Sequence, residues 1–196
     1  MGRERLSMIY SSGYELQSLF DILSSSNLLL CNPLTGLVTV LTELGDAVES
    51  SLEDIQARFA AAGQVSFLFW LDASTDIGCR LRAVAGQTLV CEEFNLGLLT
   101  DSERTLVLSA LLKLSLARAR KNSLVLFTFD SSGTCEDADW DETAVHGLAD
   151  LQVYPEIIGL PKPIPAELQP AFAGYEVLKL DSCWLYYRGA LPITTS

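Results

Sequence analysis

Carboxylates are concentrated in one stretch of the chain, and no Lys or Arg occurs from Asn122 to Pro161. Alternating carboxylates supply the hard oxygen ligands that divalent cations prefer, so we first consider a metal site at residues 137–141. A calcium loop that starts at Asp137 requires Gly at its sixth position and Glu at its twelfth, where this chain has Glu142 and Leu148. We therefore predict no metal site.

Two other roles, helix capping and protein binding, are considered for the same acids. Asp139 and Glu142 are spaced as a D-x-x-E variant of the capping box, which predicts a short helix from about Trp140 to Leu148. Protein binding is the second role, because a rigid aromatic side chain surrounded by acids is a common interface anchor. We expect Trp140 to be at least partly exposed, with the alternative that it folds back over the core. The predicted partner-binding residues are Asp130, Glu136, Asp137, Asp139, Trp140, Asp141 and Glu142.

The sequence evidence for a catalytic site in this stretch is weaker than the evidence for helix capping or protein binding. Asp130 and the following Ser131-Ser-Gly-Thr134 resemble the strand–Asp-x-Asp-Gly-Thr motif of haloacid-dehalogenase-type phosphatases, but Ser132 replaces the second Asp and little chain remains for that fold. His146 is the single histidine, and no nucleophile motif such as G-x-S-x-G accompanies it. We predict no catalytic residue and no cofactor. An enzyme that uses the Asp130–Asp141 carboxylates or His146 remains the alternative.

Composition narrows the possible partners. The chain has 196 residues, of which 49% are hydrophobic and 19% charged, which excludes disorder and suits one domain over residues 1–196. A net charge of −12 repels phosphate backbones and favours a protein partner with a basic surface over nucleic acid. No apolar run is long enough to span a membrane, so no membrane association is predicted.

The five cysteines point to a reducing compartment. They are widely spaced and form no Cys-x-x-Cys pair, so a zinc site is not expected. Most lie in apolar, strand-like runs, where a reduced thiol behaves as a small hydrophobic group. We expect free thiols and a cytoplasmic location.

Hydrophobic periodicity predicts the elements that position these residues. The clearest is a helix over residues 101–120, which opens with a complete capping box at Thr100 and Glu103 and has little polar surface. Further helices are predicted at 13–24, capped by Ser12 and Glu15, and at 43–62, ended by Gly63. Strands are predicted at 27–31, 37–41, 65–71, 79–84, 87–94 and 123–129, and a last hairpin joins 175–180 to 183–187. Arg80 and Arg82 share one strand face and are expected to pair with Glu92.

These elements predict an α+β fold with helices packed on a mainly antiparallel sheet, in the order α-ββ-α-βββ-α-β plus a C-terminal hairpin. Residues 130–165, here called the acidic segment, are expected to be a proline-punctuated loop with a short helix. By element order alone, the first two thirds of the chain resembles profilin-like scaffolds such as the roadblock and longin domains. That resemblance implies an adaptor that forms a homodimer through the apolar third helix and a sheet edge.

The leading hypothesis is a non-catalytic binding protein that masks a basic partner surface, as inhibitors of the immunity-protein or antitoxin type do. An acidic secretion-type chaperone and a dimeric scaffold adaptor fit the same features. The third alternative is the enzyme described above.

Overall fold

The computed structural model describes residues 5–86, 88–135, 138–149, 151 and 153–192. Its helices are α1 (Leu16–Ser24), α2 (Leu52–Ala62), α3 (Asp101–Arg120) and α4 (Trp140–His146), with a 3₁₀ helix at Ala166–Phe172. Its strands are β1 (Leu6–Ser11), β2 (Val38–Leu41), β3 (Ala47–Ser50), β4 (Gln64–Trp70), β5 (Asp76–Val84), β6 (Leu89–Asn95), β7 (Leu124–Asp130), β8 (Ile157–Leu160), β9 (Glu176–Leu180) and β10 (Cys183–Tyr187).

All of these strands belong to one ten-stranded antiparallel sheet, in the order β3-β2-β4-β5-β6-β1-β7-β8-β10-β9. The predicted α+β class is therefore confirmed. The most N-terminal strand, β1, lies inside the sheet between β6 and β7, where Ile9 is opposite Glu92 on one side and Phe127 on the other. This strand was missing from the predicted order, and its two neighbours make it a central element.

Helices α1, α2 and α3 cover one face of the sheet. Their buried side chains, such as Leu19, Ile55 and Leu111, pack with the strand residues Phe67 and Phe94 in one hydrophobic cluster. Helix α3 has the predicted bounds and its capping box is formed, since the Thr100 side chain bonds the Glu103 N–H and the Glu103 carboxylate bonds the Thr100 N–H. The apolar side chains of α3 are therefore mostly buried against the sheet.

An ion pair is buried in this helix-covered face. Arg118 of α3 donates to the Glu92 carboxylate at 2.8 Å, and the two residues are 2% and 0% exposed. The Arg118 guanidinium also lies 5.2 Å from the centre of the Tyr14 ring. Burial raises the pKa of Glu92, and the neighbouring guanidinium opposes part of that increase. The expected pairing of Glu92 with Arg80 or Arg82 is wrong, because Glu92 points to the opposite face of the sheet from these two arginines.

The acidic segment covers the other face. Instead of a loop with one short helix, it contains α4 and the additional strand β8, which joins β7 to β10. Its side chains Cys135, Trp140 and Leu151 are buried in a second hydrophobic cluster, against strand residues such as Tyr10 and Ile158. The sheet thus has a helical layer on one side and the acidic segment on the other.

Three further predictions are corrected by the structure. Helix α1 begins at Leu16 without a side-chain cap, and Glu15 instead pairs with Lys121 at 3.2 Å. Helix α2 begins at Leu52, where Ser51 caps it, because the preceding residues pair with β2 as strand β3. The predicted strand over residues 27–31 is reduced to single bridges at Leu29 and Cys31.

Among the described residues, no helix has both the length and the apolar character needed to cross a membrane.

Candidate functional site

Asp130 is used by the fold at the start of the acidic segment. It is 5% exposed, and its Oδ1 accepts hydrogen bonds from the N–H and hydroxyl of Ser132 at 3.1 and 2.6 Å. Its Oδ2 accepts from the Cys135 N–H at 2.8 Å. The carboxylate therefore closes the turn that follows β7, which explains why an acid followed by small polar residues stands there.

Asp139 and Trp140 start helix α4. The Asp139 carboxylate accepts from the Glu142 N–H at 2.9 Å, so the predicted cap is formed. Trp140 is 5% exposed and its indole N–H donates to the Cys135 carbonyl at 3.2 Å. The expectation of a partly exposed Trp140 is wrong, because the ring completes the second hydrophobic cluster. It serves as a core anchor of α4 and leaves the carboxylates around it as the accessible groups.

Asp141 fastens α4 to the sheet. Its carboxylate receives two bonds from Arg82, Nη1–Oδ2 at 2.6 Å and Nη2–Oδ1 at 2.9 Å, and a third from the Tyr10 hydroxyl at 2.7 Å. The Arg82 guanidinium, with help from the Tyr10 hydroxyl, holds the pKa of this carboxyl below its ordinary value of 3.8. Asp141 therefore stays ionised at neutral pH in a half-buried position.

Strand register explains why these residues meet. Cys91 of β6 lies opposite Arg82 of β5 on one side and opposite Tyr10 of β1 on the other. Directly paired residues point to the same face of a sheet, so the three form a row across the face covered by α4. Glu93, two residues along β6, lies 3.5 Å from Arg82 Nε and adds a second carboxylate to the same guanidinium.

A cavity of about 370 Å³ lies between this row and α4, and Met8 and Ala138 also line it. The polar groups at its wall bond each other, and burial raises the pKa of Tyr10 well above its ordinary range, so the hydroxyl remains a proton donor to Asp141. Over the described ranges of the chain, no three His, Cys, Asp or Glu side chains are grouped so that they could hold a metal ion. The arrangement is suited to fixing α4 in place.

The outer side of α4 is exposed. Asp139 and Glu142 face solvent, and His146 lies 3.6 Å from the Glu142 carboxylate with both side chains about two-thirds exposed, at 65% and 64%. We call Asp139, Glu142, Val145 and His146 the α4 surface. Glu136 and Asp137, which were predicted to belong to the same binding surface, lie outside the described residues.

Of the predicted site residues, the structure thus brings Asp139, Trp140, Asp141 and Glu142 together on α4 and places Asp130 in a separate turn. The residues that sequence reasoning missed are Tyr10 and Arg82, which hold Asp141. Arg82 carried a signal, since it alternates with apolar residues on its strand and so had to lie on a polar face. Tyr10 carried none, because β1 was not predicted.

The chain matches no known protein family, and no similar protein was found among curated sequences or solved structures.

Proposed function

We propose that this chain is a non-catalytic protein-binding domain that uses the α4 surface to bind a basic surface of a partner protein, as inhibitors of the immunity-protein or antitoxin type do. The observation that carries the proposal is that some side chains of α4 fix the helix to the sheet while others face solvent. Asp141 and Trp140 face the sheet and fix the helix, while Asp139 and Glu142 face solvent. Carboxylates on a helix that is already fixed lose little freedom on binding.

Charge supports the same proposal. Arg82 is the only cation bonded to this site within the described part of the chain, and it is shared by two carboxylates, Asp141 and Glu93. With Asp139 and Glu142 beside them, the region keeps a negative balance, and the whole chain carries −12. Such a field speeds encounter with a basic surface and suppresses wrong partners.

The hydrogen bonding of the acids favours binding over catalysis. A catalytic carboxylate needs an oxygen that is free to meet a substrate. Both oxygens of Asp130 and both oxygens of Asp141 accept hydrogen bonds within the fold. Of the acids that face solvent, Glu142 lies on the outside of α4, and Asp139, which also lines the cavity, is used as the helix cap.

The burial of α3 favours the acidic surface over a dimeric adaptor. The adaptor alternative would use this apolar helix for a homodimer, but its Leu111 and Leu114 are 0% exposed within the chain. Leu106 is 61% exposed and stands near the start of the helix.

Four of the five free cysteines are buried, which suits the reducing cytoplasm that we propose as the location.

The proposal is tested by capturing the partner with the full chain, identifying it by mass spectrometry and measuring association rates at several salt concentrations. We expect Glu142→Lys to slow association several-fold at low salt, and the difference to shrink at high salt as the charges are screened. The matched control is Glu49→Lys, which makes the same charge change on the exposed edge strand β3. Equal effects of the two substitutions would show that net charge, and not the α4 surface, governs binding.

A further inference from the structure

A second cavity, of about 500 Å³, lies where β5 borders β4, at a gap in the sheet between β4 and β2. Strands β2 and β4 pair only at Val40–Phe67 and Leu41–Ser66. Beyond Leu41 the chain turns away, because the Thr42 N–H donates to the Asp46 carbonyl and the Gly45 N–H donates to the Thr42 carbonyl, both at 2.9 Å. Strand β4 continues without β2 beside it, and the cavity fills the space.

Two guanidinium groups line this cavity in a strongly acidic protein. Arg58 comes from α2 and Arg80 from β5. Each is held through a single nitrogen, Arg58 Nε by Asp54 at 2.8 Å and Arg80 Nη2 by Gln64 at 2.9 Å. Among the described residues Arg80 forms no ion pair, so the remaining donors of its planar fork are available for an oxyanion.

The rest of the lining indicates the kind of anion. Leu41, which is half-buried, and Ala62, which is exposed, contribute apolar wall, which accepts a hydrocarbon group. Asp54 neutralises Arg58 and Glu43 also lines the cavity, so Arg80 is the cation left for a ligand and suits no more than a single negative charge. The net charge of −12 on the whole chain further disfavours polyanions.

We propose that this cavity is a binding site for a small organic monocarboxylate, with its carboxylate on Arg80 and Arg58 and its hydrocarbon part against Leu41 and Ala62. The site is separate from the α4 surface and does not depend on the protein-binding function. It assigns a role to Arg80, whose expected pairing with Glu92 is not formed.

The test is a titration of the full-length chain with acetate, butyrate, hexanoate and inorganic phosphate at fixed ionic strength, followed by backbone amide shifts in nuclear magnetic resonance. We expect saturable shifts at Leu41, Thr42 and Ser66. Affinity should rise from acetate to hexanoate by up to about fourfold for each methylene that is buried. Phosphate should bind more weakly than butyrate.

Substitution then separates the site from general charge. Arg80→Gln removes one charge-assisted contact and should weaken hexanoate binding about tenfold. Arg120→Gln is the matched control, since Arg120 is also exposed but lies at the end of α3, away from the cavity, and it should leave affinity unchanged. Absence of saturation, equal weakening by both substitutions, or phosphate binding as tightly as hexanoate would each overturn the proposal.

Discussion

Arg82 of β5 and Asp141 of α4 form a two-bonded ion pair that joins the sheet to the acidic segment across 59 residues of chain, with contacts of 2.6 and 2.9 Å. The pair is partly accessible, since the Arg82 and Asp141 side chains are 21% and 39% exposed. Solvent screening therefore limits the contribution of this pair to the free energy of unfolding. Its planar, two-bonded geometry still makes that contribution larger than the contribution of an ordinary surface pair. It is the clearest single link between a residue of the acid-rich stretch and the rest of the fold.

Removing this link should destabilise the protein to a measurable degree. We expect Asp141→Ala to lower the free energy of unfolding by about 1–2 kcal/mol in urea titrations at neutral pH. The neighbouring substitution Glu142→Gln, on an exposed side chain, is the control and should change it by less than about 0.5 kcal/mol. Equal stabilities of the two variants would show that α4 is held by Trp140 alone.

The contribution of Asp141 should also depend on pH in a defined direction. Arg82 and Tyr10 lower the pKa of this carboxyl below 3.8 in the folded protein, so the unfolded chain binds the proton more tightly. The stability difference between the wild type and Asp141→Ala is then complete above about pH 4 and decreases as pH falls through the folded pKa. Thermal melts of both proteins between acidic and neutral pH measure it, and a difference that grows toward low pH would contradict the assignment.

The buried pair of Glu92 and Arg118 gives a prediction about two residues together. Glu92→Leu leaves a guanidinium uncompensated in the core and should cost about 3–5 kcal/mol of unfolding free energy. The double variant Glu92→Leu with Arg118→Met replaces both charges by apolar groups and should be clearly more stable than Glu92→Leu alone. Urea unfolding of the wild type, both single variants and the double variant completes the cycle. Simple additivity of the two losses would show that the residues are not coupled.

Helix α3 is expected to carry a large share of the helix-covered core. Leu111→Ala and Leu114→Ala each remove a side chain that is 0% exposed and should destabilise by about 2–5 kcal/mol. Leu106→Ala, at 61% exposure on the same helix, is the matched control and should lie near the wild type. Denaturant midpoints of the three variants decide the matter, and similar midpoints would mean that α3 is not packed as described.

The cysteines should divide into one reactive thiol and four protected ones. Cys31 is exposed, whereas Cys79, Cys91, Cys135 and Cys183 are buried. Burial raises the pKa of Cys91 and Cys135 to about 12 and that of Cys183 to about 11, which keeps these thiols protonated and unreactive. A thiol reagent should label one site quickly in the native protein and all five in denaturant. Cys31→Ser should abolish the fast reaction, and fast labelling that survives this change would contradict the burial of the other four.

The elements predicted best are those whose information is local. Helix α3 contains its own cap at Thr100 and Glu103, and an apolar pattern that suits no other structure, so its bounds were predictable. Helix α2 was predicted too long because Leu44 and Val48 continue its helical spacing. In the structure Leu44 is 89% exposed in a turn and Val48 pairs with Val40, so tertiary pairing with β2 overrides the local pattern.

The site was predictable only in part for the same reason. Asp139 acts within its own helix, and its capping role followed from a spacing of three residues. The partners of Asp141 are set by the alignment of β5, β6 and β1, which no local pattern contains. The burial of Trp140 likewise depends on the second face of the sheet, and no local sequence pattern predicted that the acidic segment covers this face.

The position of β1 has a consequence for how the chain becomes folded. Leu6–Ser11 leaves the ribosome first among the strands, yet its two neighbours are Leu89–Asn95 and Leu124–Asp130. Ser7, for example, donates to the carbonyl of Thr128, which is made 121 residues later. Both edges of this apolar segment stay unpaired until β6 is made, and the β7 edge stays unpaired until Thr128 follows, which is the condition in which nascent strands attract chaperones or other chains. Insertion of β1 is therefore a late, long-range step, and it sets a slow pace for folding of the whole sheet.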